Sequence, residues 1–399
     1  MIIDSEQPAP RTYSRRSVLK GTAVGGGAVA LASVAGIGYR SEDNGVWNSG
    51  SGKPYELWDG WQEVPGHGAI VAAGILAANP HNTQPWTFTV DGDTIDVAPD
   101  DSRSMPRTDA DAREHIAGLG CAAENMVIAA RGRGLDSAID LWPAPDVAVR
   151  ITLAPGPTAT ERETALADAI ARRHTNRGPY SPTTVSSDDL ARLTDADAGA
   201  ASVRWVTDPI AVAQLGSLYV DATQAIIDDE ESSIEGFSWF RSTRADIEKY
   251  RDGLTLDAQG LDSLTLAAAK ILPATSRTSG DKFWLKSTRE VHTATAAAYG
   301  IITVPHVQDA TDRINGGRLL EHVHVAATAD GLALHHMNQV TERIARDAAL
   351  GDPDAFGARW EAAVGVPAQS TLVSFRIGHP HRAPRRSPRR AVESVLVGM

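Results

Sequence analysis

Two segments half a chain apart share one pattern, and this repetition limits the possible fold more than any other feature. Gly120-Cys121-Ala122-Ala123-Glu124-Asn125-Met126-Val127-Ile128-Ala129-Ala130-Arg131-Gly132-Arg133-Gly134-Leu135 is answered by Gly317-Arg318-Leu319-Leu320-Glu321-His322-Val323-His324-Val325-Ala326-Ala327-Thr328-Ala329-Asp330-Gly331-Leu332. One offset, 317 − 120 = 197, superposes Gly, Glu, Ala-Ala and Gly-Leu, and pairs Met126 with Val323 and Ile128 with Val325. Each segment predicts a buried helix stopped by a glycine in the left-handed region. The chain has 399 residues, room for two ordinary domains or one large unit. An offset of half that length implies two fused copies of one unit; the bland alternative is chance likeness between two alanine-rich helices. A second correspondence, Ile75-Leu76-Ala77-Ala78 with Ile271-Leu272-Pro273-Ala274, falls at 271 − 75 = 196.

The rest of the pattern mixes strands with helices. Thr87–Val90 and Thr94–Val97 alternate across the turn Asp91-Gly92-Asp93 and predict a hairpin. Glu161 to Arg173 has helical spacing and stops near Asn176-Arg177-Gly178-Pro179, while Ser186 caps a short helix through Leu193. Tyr299–Val304 and Thr371–Ile377 are strand-like. Residues 228–284, with Phe237, Trp239, Phe240, Tyr250, Phe283 and Trp284, read as an inserted lid. Long helices among these strands indicate an α+β or α/β unit.

Charge and composition exclude several functions. Fifty acidic residues against 38 basic give a net charge of −12, which argues against general nucleic-acid binding. Cys121 is the lone cysteine, so an intramolecular disulfide and a Cys-x-x-Cys redox pair are both impossible. Among His322, His324, His335, His336, His379 and His381, His322 and His324 point to different helix faces, and His324 and His335, which could share a face, have no carboxylate companion at ligand spacing beside them, so no metal site is expected. No Ser-His-Asp or Cys-His set stands out, so no catalytic side chain is assigned. At the N-terminus, Ser14-Arg15-Arg16-Ser17-Val18-Leu19-Lys20 precedes a glycine- and alanine-rich run from Gly21. Charged, mildly apolar and small residues in that order make residues 1–40 a targeting segment, and the paired arginines resemble a twin-arginine export signal. Cleaved and anchored forms, hence periplasmic, cell-envelope or secreted locations, all remain open.

Two polar motifs carry the candidate chemistry. Asn79-Pro80-His81-Asn82-Thr83-Gln84-Pro85-Trp86 puts an imidazole, three carboxamides and an indole on one short loop; carboxamides donate and accept at once, which suits a heterocycle that does the same. Arg173-His174-Thr175-Asn176-Arg177 spaces two guanidiniums around a hydroxyl, a plausible grip for a terminal phosphate or else a basic helix end. Arg376, Arg382, Arg385, Arg386, Arg389 and Arg390 crowd the C-terminal stretch, as a solvated tail or a local anion site.

Together these segments resemble the nitroreductase superfamily. The Asn-x-Gln-Pro-Trp wording resembles that family's flavin-contacting loop; Arg173, Thr175 and Arg177 match its Arg, Ser and Arg that hold the FMN phosphate. Pro388-Arg389-Arg390-Ala391-Val392-Glu393-Ser394-Val395-Leu396 looks like its closing segment, which returns another Arg to that phosphate. Asn79 stands where Ser is usual and Ala78 where Pro is usual. In the family's homodimers one subunit grips the phosphate and its partner supplies the loop. Here the loop lies in the first half and both arginine segments in the second, as expected of a dimer fused into one polypeptide.

The resemblance, closest to the tandem Acg-like branch, therefore implies an α+β nitroreductase-like fold in two diverged tandem copies forming an intramolecular pseudo-dimer, and hence a possible monomer. Its halves would span 41–160 and 161–399. It implies FMN held by Asn79, His81, Asn82, Gln84, Trp86, Arg173, Thr175, Arg177, Arg389 and Arg390. Asn79 and Asn82 would address the ring edges, with Gln84 and Trp86 shaping the loop, and Arg173, Thr175, Arg177 and Arg390 would anchor the phosphate with Arg389 assisting. Electrons would pass from NAD(P)H or another donor to a nitroaromatic or quinone, with the twin-arginine translocase a partner in export. The alternative it implies is a flavoprotein that stores FMN or senses redox state without turnover.

Overall fold

The computed structural model describes residues 44–47 and 49–397, and the targeting segment lies outside them. Two four-stranded sheets organise the described chain. In the first unit, α1 (Gly68–Ile75) leads into the hairpin β1 (Trp86–Asp91) and β2 (Thr94–Pro99). Then α2 (Arg113–Gly132) crosses to β3 (Leu135–Ala144) and β4 (Val147–Pro155). The strands are ordered β1-β2-β4-β3, every neighbour antiparallel.

In the second unit α3 (Glu161–Ile170) precedes β5 (Ser202–Val206). An insertion follows, with helices α4 (Pro209–Asp228), α5 (Glu230–Ser238), α6 (Ser263–Ile271) and α7 (Arg277–Ser287). The unit resumes with β6 (Ala298–Thr303), α8 (Ala310–Ala329), β7 (Ala333–His336), α9 (Gln339–Leu350) and β8 (Thr371–Gly378). Its order, β5-β6-β8-β7, repeats the permutation of the first sheet, again antiparallel throughout.

The duplication is thus a duplication of topology. Helices α2 and α8 hold the same place between the second and third strands of their sheets, and both ends obey the offset: 310 − 113 = 197 and 329 − 132 = 197. Both are followed by glycines at positive φ, Gly134 at 72° and Gly331 at 79°, the left-handed stop the pattern predicts. The Ile75/Ile271 correspondence does not belong to the repeat. Helix α6 ends at Ile271 inside the insertion, whereas the topological counterpart of α1 is α3, ahead of β5.

The two central helices cross at their glycines. A Cβ on Gly120 would run into the Ile314 carbonyl oxygen, and one on Gly317 into the Ala117 carbonyl oxygen. These four positions form two repeat-related pairs (317 − 120 = 314 − 117 = 197), so the crossing has a pseudo-two-fold. One apolar core runs through both units, from Trp86 and Met126 to Val323 and Phe375.

Beyond β8 the chain returns to the first unit. The Trp58 indole donates to Ser387 O at 2.8 Å and Arg389 N to Pro54 O at 2.7 Å. Phe88 N donates to Val395 O at 2.8 Å and Val397 N to Phe88 O at 2.9 Å, so the tail pairs in parallel with edge strand β1. This covers backbone groups that an open edge would expose.

Alanine is the better helix former by about 1 kcal/mol, so propensity alone predicts that Gly120→Ala and Gly317→Ala stabilise. Because the added methyl meets backbone, the expected result is the opposite, a loss of about 1–3 kcal/mol for each, read from urea denaturation midpoints.

Candidate functional site

The loop between α1 and β1 is strained and self-locked. His81, Asn82 and Gln84 sit at φ of 47°, 57° and 54°, a region unfavourable for residues with a Cβ and sustained only where surroundings impose it. The surroundings here are hydrogen bonds. Asn79 Oδ1 accepts from Gln84 N at 2.8 Å, and Asn79 Nδ2 donates to Ala77 O at 3.0 Å. Asn82 Nδ2 donates to Gly253 O at 3.1 Å and Pro388 O at 2.9 Å, while its Oδ1 accepts from Arg389 Nη1. Gln84 Nε2 donates to Arg251 O and its Oε1 accepts from Arg390 N, both at 2.8 Å. The loop therefore ties together the insertion, at 251–253, and the C-terminal tail, at 388–390.

That geometry corrects part of the expected site. The amides of Asn79 and Asn82 are committed to protein partners rather than left for a ring edge. Gln84, fully buried, is a clamp. Trp86 is the first residue of β1, fully buried with its ring 6.3 Å from Phe88, and belongs to the core of the first unit rather than to a cavity wall. Arg390 turns away too, donating to Ser394 O at 2.8 Å and facing Asp100 at 3.8 Å.

All the expected residues except Gln84, Trp86 and Arg390, the bonded Asn79 and Asn82 included, line one cavity of about 540 Å³ between the units, within the usual range for small-molecule sites. The first unit contributes Asn79, His81 and Asn82, the second Arg173, Thr175 and Arg177, and the tail Arg389. From the insertion come Phe237, Phe240, Phe283 and Trp284. One wall is strongly cationic. Arg173, 2% exposed, faces Glu321 at 2.9 Å, donates to Leu76 O at 2.8 Å and contacts His324 Nδ1 at 3.1 Å. The Arg389 guanidinium lies 4.8 Å from the centre of the Trp58 ring, and burial together with nearby Arg173 lowers its pKa well below the arginine range. Burial, then Arg376, pulls Arg177 down to about 10; it donates to Ala258 O at 3.1 Å. Among the described residues, Glu321 is the one carboxylate in an ion pair with any of the three, and its own pKa is raised by burial against the opposing pull of Arg173.

Imidazoles line the same region. Burial, reinforced by arginines, depresses His174, His292 and His335, takes His336 to about 3 and His81 to about 4, and keeps all five rings neutral near pH 7. Reading motifs missed Trp58, His174 and Glu321. Glu321 was in view as a repeated residue, but Trp58 stands in no motif, and only the folded tail brings it under Arg389.

A model of the twin-arginine translocation pathway signal sequence matches residues 12–32, which supports export by that route. A candidate NAD(P)H nitroreductase of Mycobacterium tuberculosis H37Rv (Rv3131) is 28% identical over 173 residues, 43% of this chain and 49% of that protein. The Acg candidate nitroreductase of the same strain is 29% identical over 115 residues, 28% of this chain and 35% of that one. The matches thus span half or less of these relatives. A Mycobacterium smegmatis structure, the FMN-dependent nitroreductase NfnB with NADPH, overlaps 60% of this chain and 100% of its own at 15% identity and a TM-score of 0.37. The chain is thus similar, over part of their length, to mycobacterial proteins that carry the nitroreductase name, Acg among them. It carries a twin-arginine signal ahead of its two fused units.

Gln84→Ala removes one acceptor and one donor whose partners, Arg390 N and Arg251 O, are partly buried. The expected loss is about 2–4 kcal/mol in stability, and hydrogen exchange should report faster opening of residues 388–397 than of β2 and β4.

Proposed function

We propose that the cavity binds FMN and that the chain is an FMN-dependent oxidoreductase of nitroreductase type. The observation that carries this reading is the imbalance of charge: two buried guanidiniums, Arg173 and Arg389, and the half-buried Arg177, from two distant segments, gather with a single paired carboxylate. Burying unpaired cations is unfavourable, and a terminal phosphate would supply the missing negative charge. In this reading Arg173, Thr175, Arg177 and Arg389 hold the phosphate, and His81 with the loop backbone shapes the ring end. Asn79, Asn82, Gln84, Trp86 and Arg390 act indirectly, by fixing the loop and the tail.

When bound, the flavin would supply the hydride and electron chemistry. The chain's own work is to hold it, keep the surrounding imidazoles uncharged and exclude water with the apolar wall of the insertion. No protein nucleophile or base is needed. The donor would be NAD(P)H or another reductant available where the exported protein resides, in the periplasm, cell envelope or medium. The acceptor would be a nitroaromatic or a quinone. Both units lie in one polypeptide, so the site needs no second subunit. One feature favours storage without turnover: Phe237, Phe240, Phe283 and Trp284 all reach the cavity from the insertion, with the Phe237 and Phe240 rings stacked at 6.2 Å.

Two measurements test this. Titration with FMN and with riboflavin, followed by flavin fluorescence, should show tight binding of the phosphorylated form alone. Arg177→Gln and Arg389→Gln should each narrow that preference by roughly ten- to hundredfold, as loss of a hydrogen bond to a charged group predicts. Equal binding of the two flavins by the wild type sinks the phosphate assignment. Anaerobic NADPH then separates the readings, since a bleached flavin spectrum marks an enzyme and a persistent one marks storage or another donor.

A further inference from the structure

Helix α6, in the insertion, has its polarity reversed. Between Ser263 and Ala274 the chain carries one charged residue, Lys270, and that residue points inward. Its Nζ donates to Asp257 Oδ2 at 2.9 Å, Ser49 Oγ at 2.8 Å and Gly45 O at 3.2 Å. Leu266, one turn earlier on the same face, is buried, and Thr265 and Ala269 line the cavity. The opposite face is apolar and open. Leu264 is 82% exposed, Ala268 one turn on is exposed as well, and Leu272, just past the helix end, is 62% exposed and followed by exposed Pro273 and Ala274. A surface helix ordinarily turns charge to water; one that is apolar all round suits cover on both faces.

The segment that follows the targeting run is fastened to this helix. Asn44 Nδ2 donates to Lys270 O at 2.7 Å, and Asn44 and Leu272 border one depression. The turn after Asn44 carries Trp47, 81% exposed. Three of the four most exposed large apolar side chains among the described residues, Leu264, Trp47 and Leu272, therefore gather on α6 and the segment bound to its end. Single exposed leucines need no explanation, but apolar residues grouped on one face mark a contact.

Position and charge both indicate lipid as the cover. The apolar run of the targeting segment ends at Tyr39, five steps (44 − 39) before Asn44, a reach of about 18 Å at most. A run held in a bilayer therefore keeps the end of α6 close to that bilayer. The run is mild, rich in glycine and alanine, and a weak anchor holds firmly only with a second contact. At the other end of α6, Arg385 Nη2 donates to Ser263 Oγ at 3.0 Å and Arg382 Nη2 to Gly260 O at 3.4 Å. Each guanidinium meets an uncharged oxygen there, while the nearby acid, Asp262, caps the helix by accepting from Leu264 N and Thr265 N at 3.0 Å. In a chain of net charge −12 this is a local cationic edge, which fits anionic headgroups.

We propose that the outer face of α6, together with Trp47, is a membrane-docking face that rests on an anionic bilayer surface. Leu264 and Leu272 enter the acyl boundary, Trp47 sits at headgroup level, where indoles concentrate, and Arg382 and Arg385 meet lipid phosphates. The inner face of the same helix lines the cavity, so docking sets the cavity one helix away from lipid. The face is defined without reference to what fills the cavity, and it stands if the flavin reading fails.

The test places a nitroxide label at Leu264→Cys or Leu272→Cys in the full-length protein, on vesicles of phosphatidylcholine with an equal part of phosphatidylglycerol. Cys121, buried and donating to Gly317 O at 3.2 Å, is shielded from labelling, which the unaltered chain checks. On adding vesicles, both labels should lose collisions with a water-soluble nickel chelate and gain them with oxygen. The same label at Leu350→Cys, an exposed leucine outside the insertion, should stay in water. Arg382→Gln and Arg385→Gln should each lower the ratio of docked to free label roughly fivefold, as loss of one basic residue at an anionic surface predicts. Labels that stay open to nickel while the chain sediments with vesicles overturn the face, and so does a chain that binds no vesicles. Shielding without vesicles overturns it too, and means a second copy if it grows with protein concentration or residues 1–43 if it does not. Equal shielding at Leu350 contradicts a specific face. Should a labelled variant misfold, hydrogen exchange on the unaltered chain decides. Vesicles should slow the amides of residues 263–274 more than those of β5, and equal slowing overturns the proposal.

Discussion

Two buried side-chain amides hold the candidate site together. Asn82 and Gln84 each donate from one atom and accept on the other, so each can bridge chain segments that share no secondary structure. Between them they join a first-unit loop to the turn of the insertion at 251–253 and to the tail at 388–390. The strained backbone at His81, Asn82 and Gln84 is maintained by these bonds, and the same bonds deliver Arg389 to the cavity. A carboxylate at either position could not donate, and an ammonium could not accept, so the residue type follows from the geometry.

Fusion of two like units set the frame in which this clamp works, and divergence made it one-sided. Glu124 and Glu321 occupy equivalent positions (321 − 124 = 197) on helices whose glycines let them touch. Glu124 takes Arg318 and His322 at 3.2 and 3.0 Å, within the helix pair. Glu321 takes Arg173 at 2.9 Å and the backbone N–H of Ala78 at 3.0 Å, joining the arginine segment to the start of the strained loop. One carboxylate is structural in the interface; its repeat mate orients the cationic wall. Breaking a buried pair of this kind is far more unfavourable than its net contribution suggests, which ties the charge of the cavity to the fold itself.

Much of this was legible in the residues. The repeated helices, their glycine stops, the hairpin and the strands near 299 and 371 were visible because each depends on local periodicity and turn chemistry. The convergence of the loop with Arg173, Thr175 and Arg177 was visible through family resemblance, but the resemblance put Arg390 first where Arg389 reaches the cavity and Arg390 turns to Ser394 and Asp100. The roles inside the loop were not. A motif shows that amides are present but not whether backbone or ligand claims them, and here the backbone claims Asn79 and Asn82. Trp86, expected to contact the flavin, is taken into the core by the strand that begins at it.

The central claim is that arginines from two distant segments and a loop from the other unit build one anion site. A crystal structure of the purified protein with FMN tests it most directly. The account predicts the phosphate against Arg173, Thr175, Arg177 and Arg389, with the ring extending past His81 between the units. Phosphate density anywhere else, with these guanidiniums still turned to Glu321 and backbone carbonyls, would contradict it.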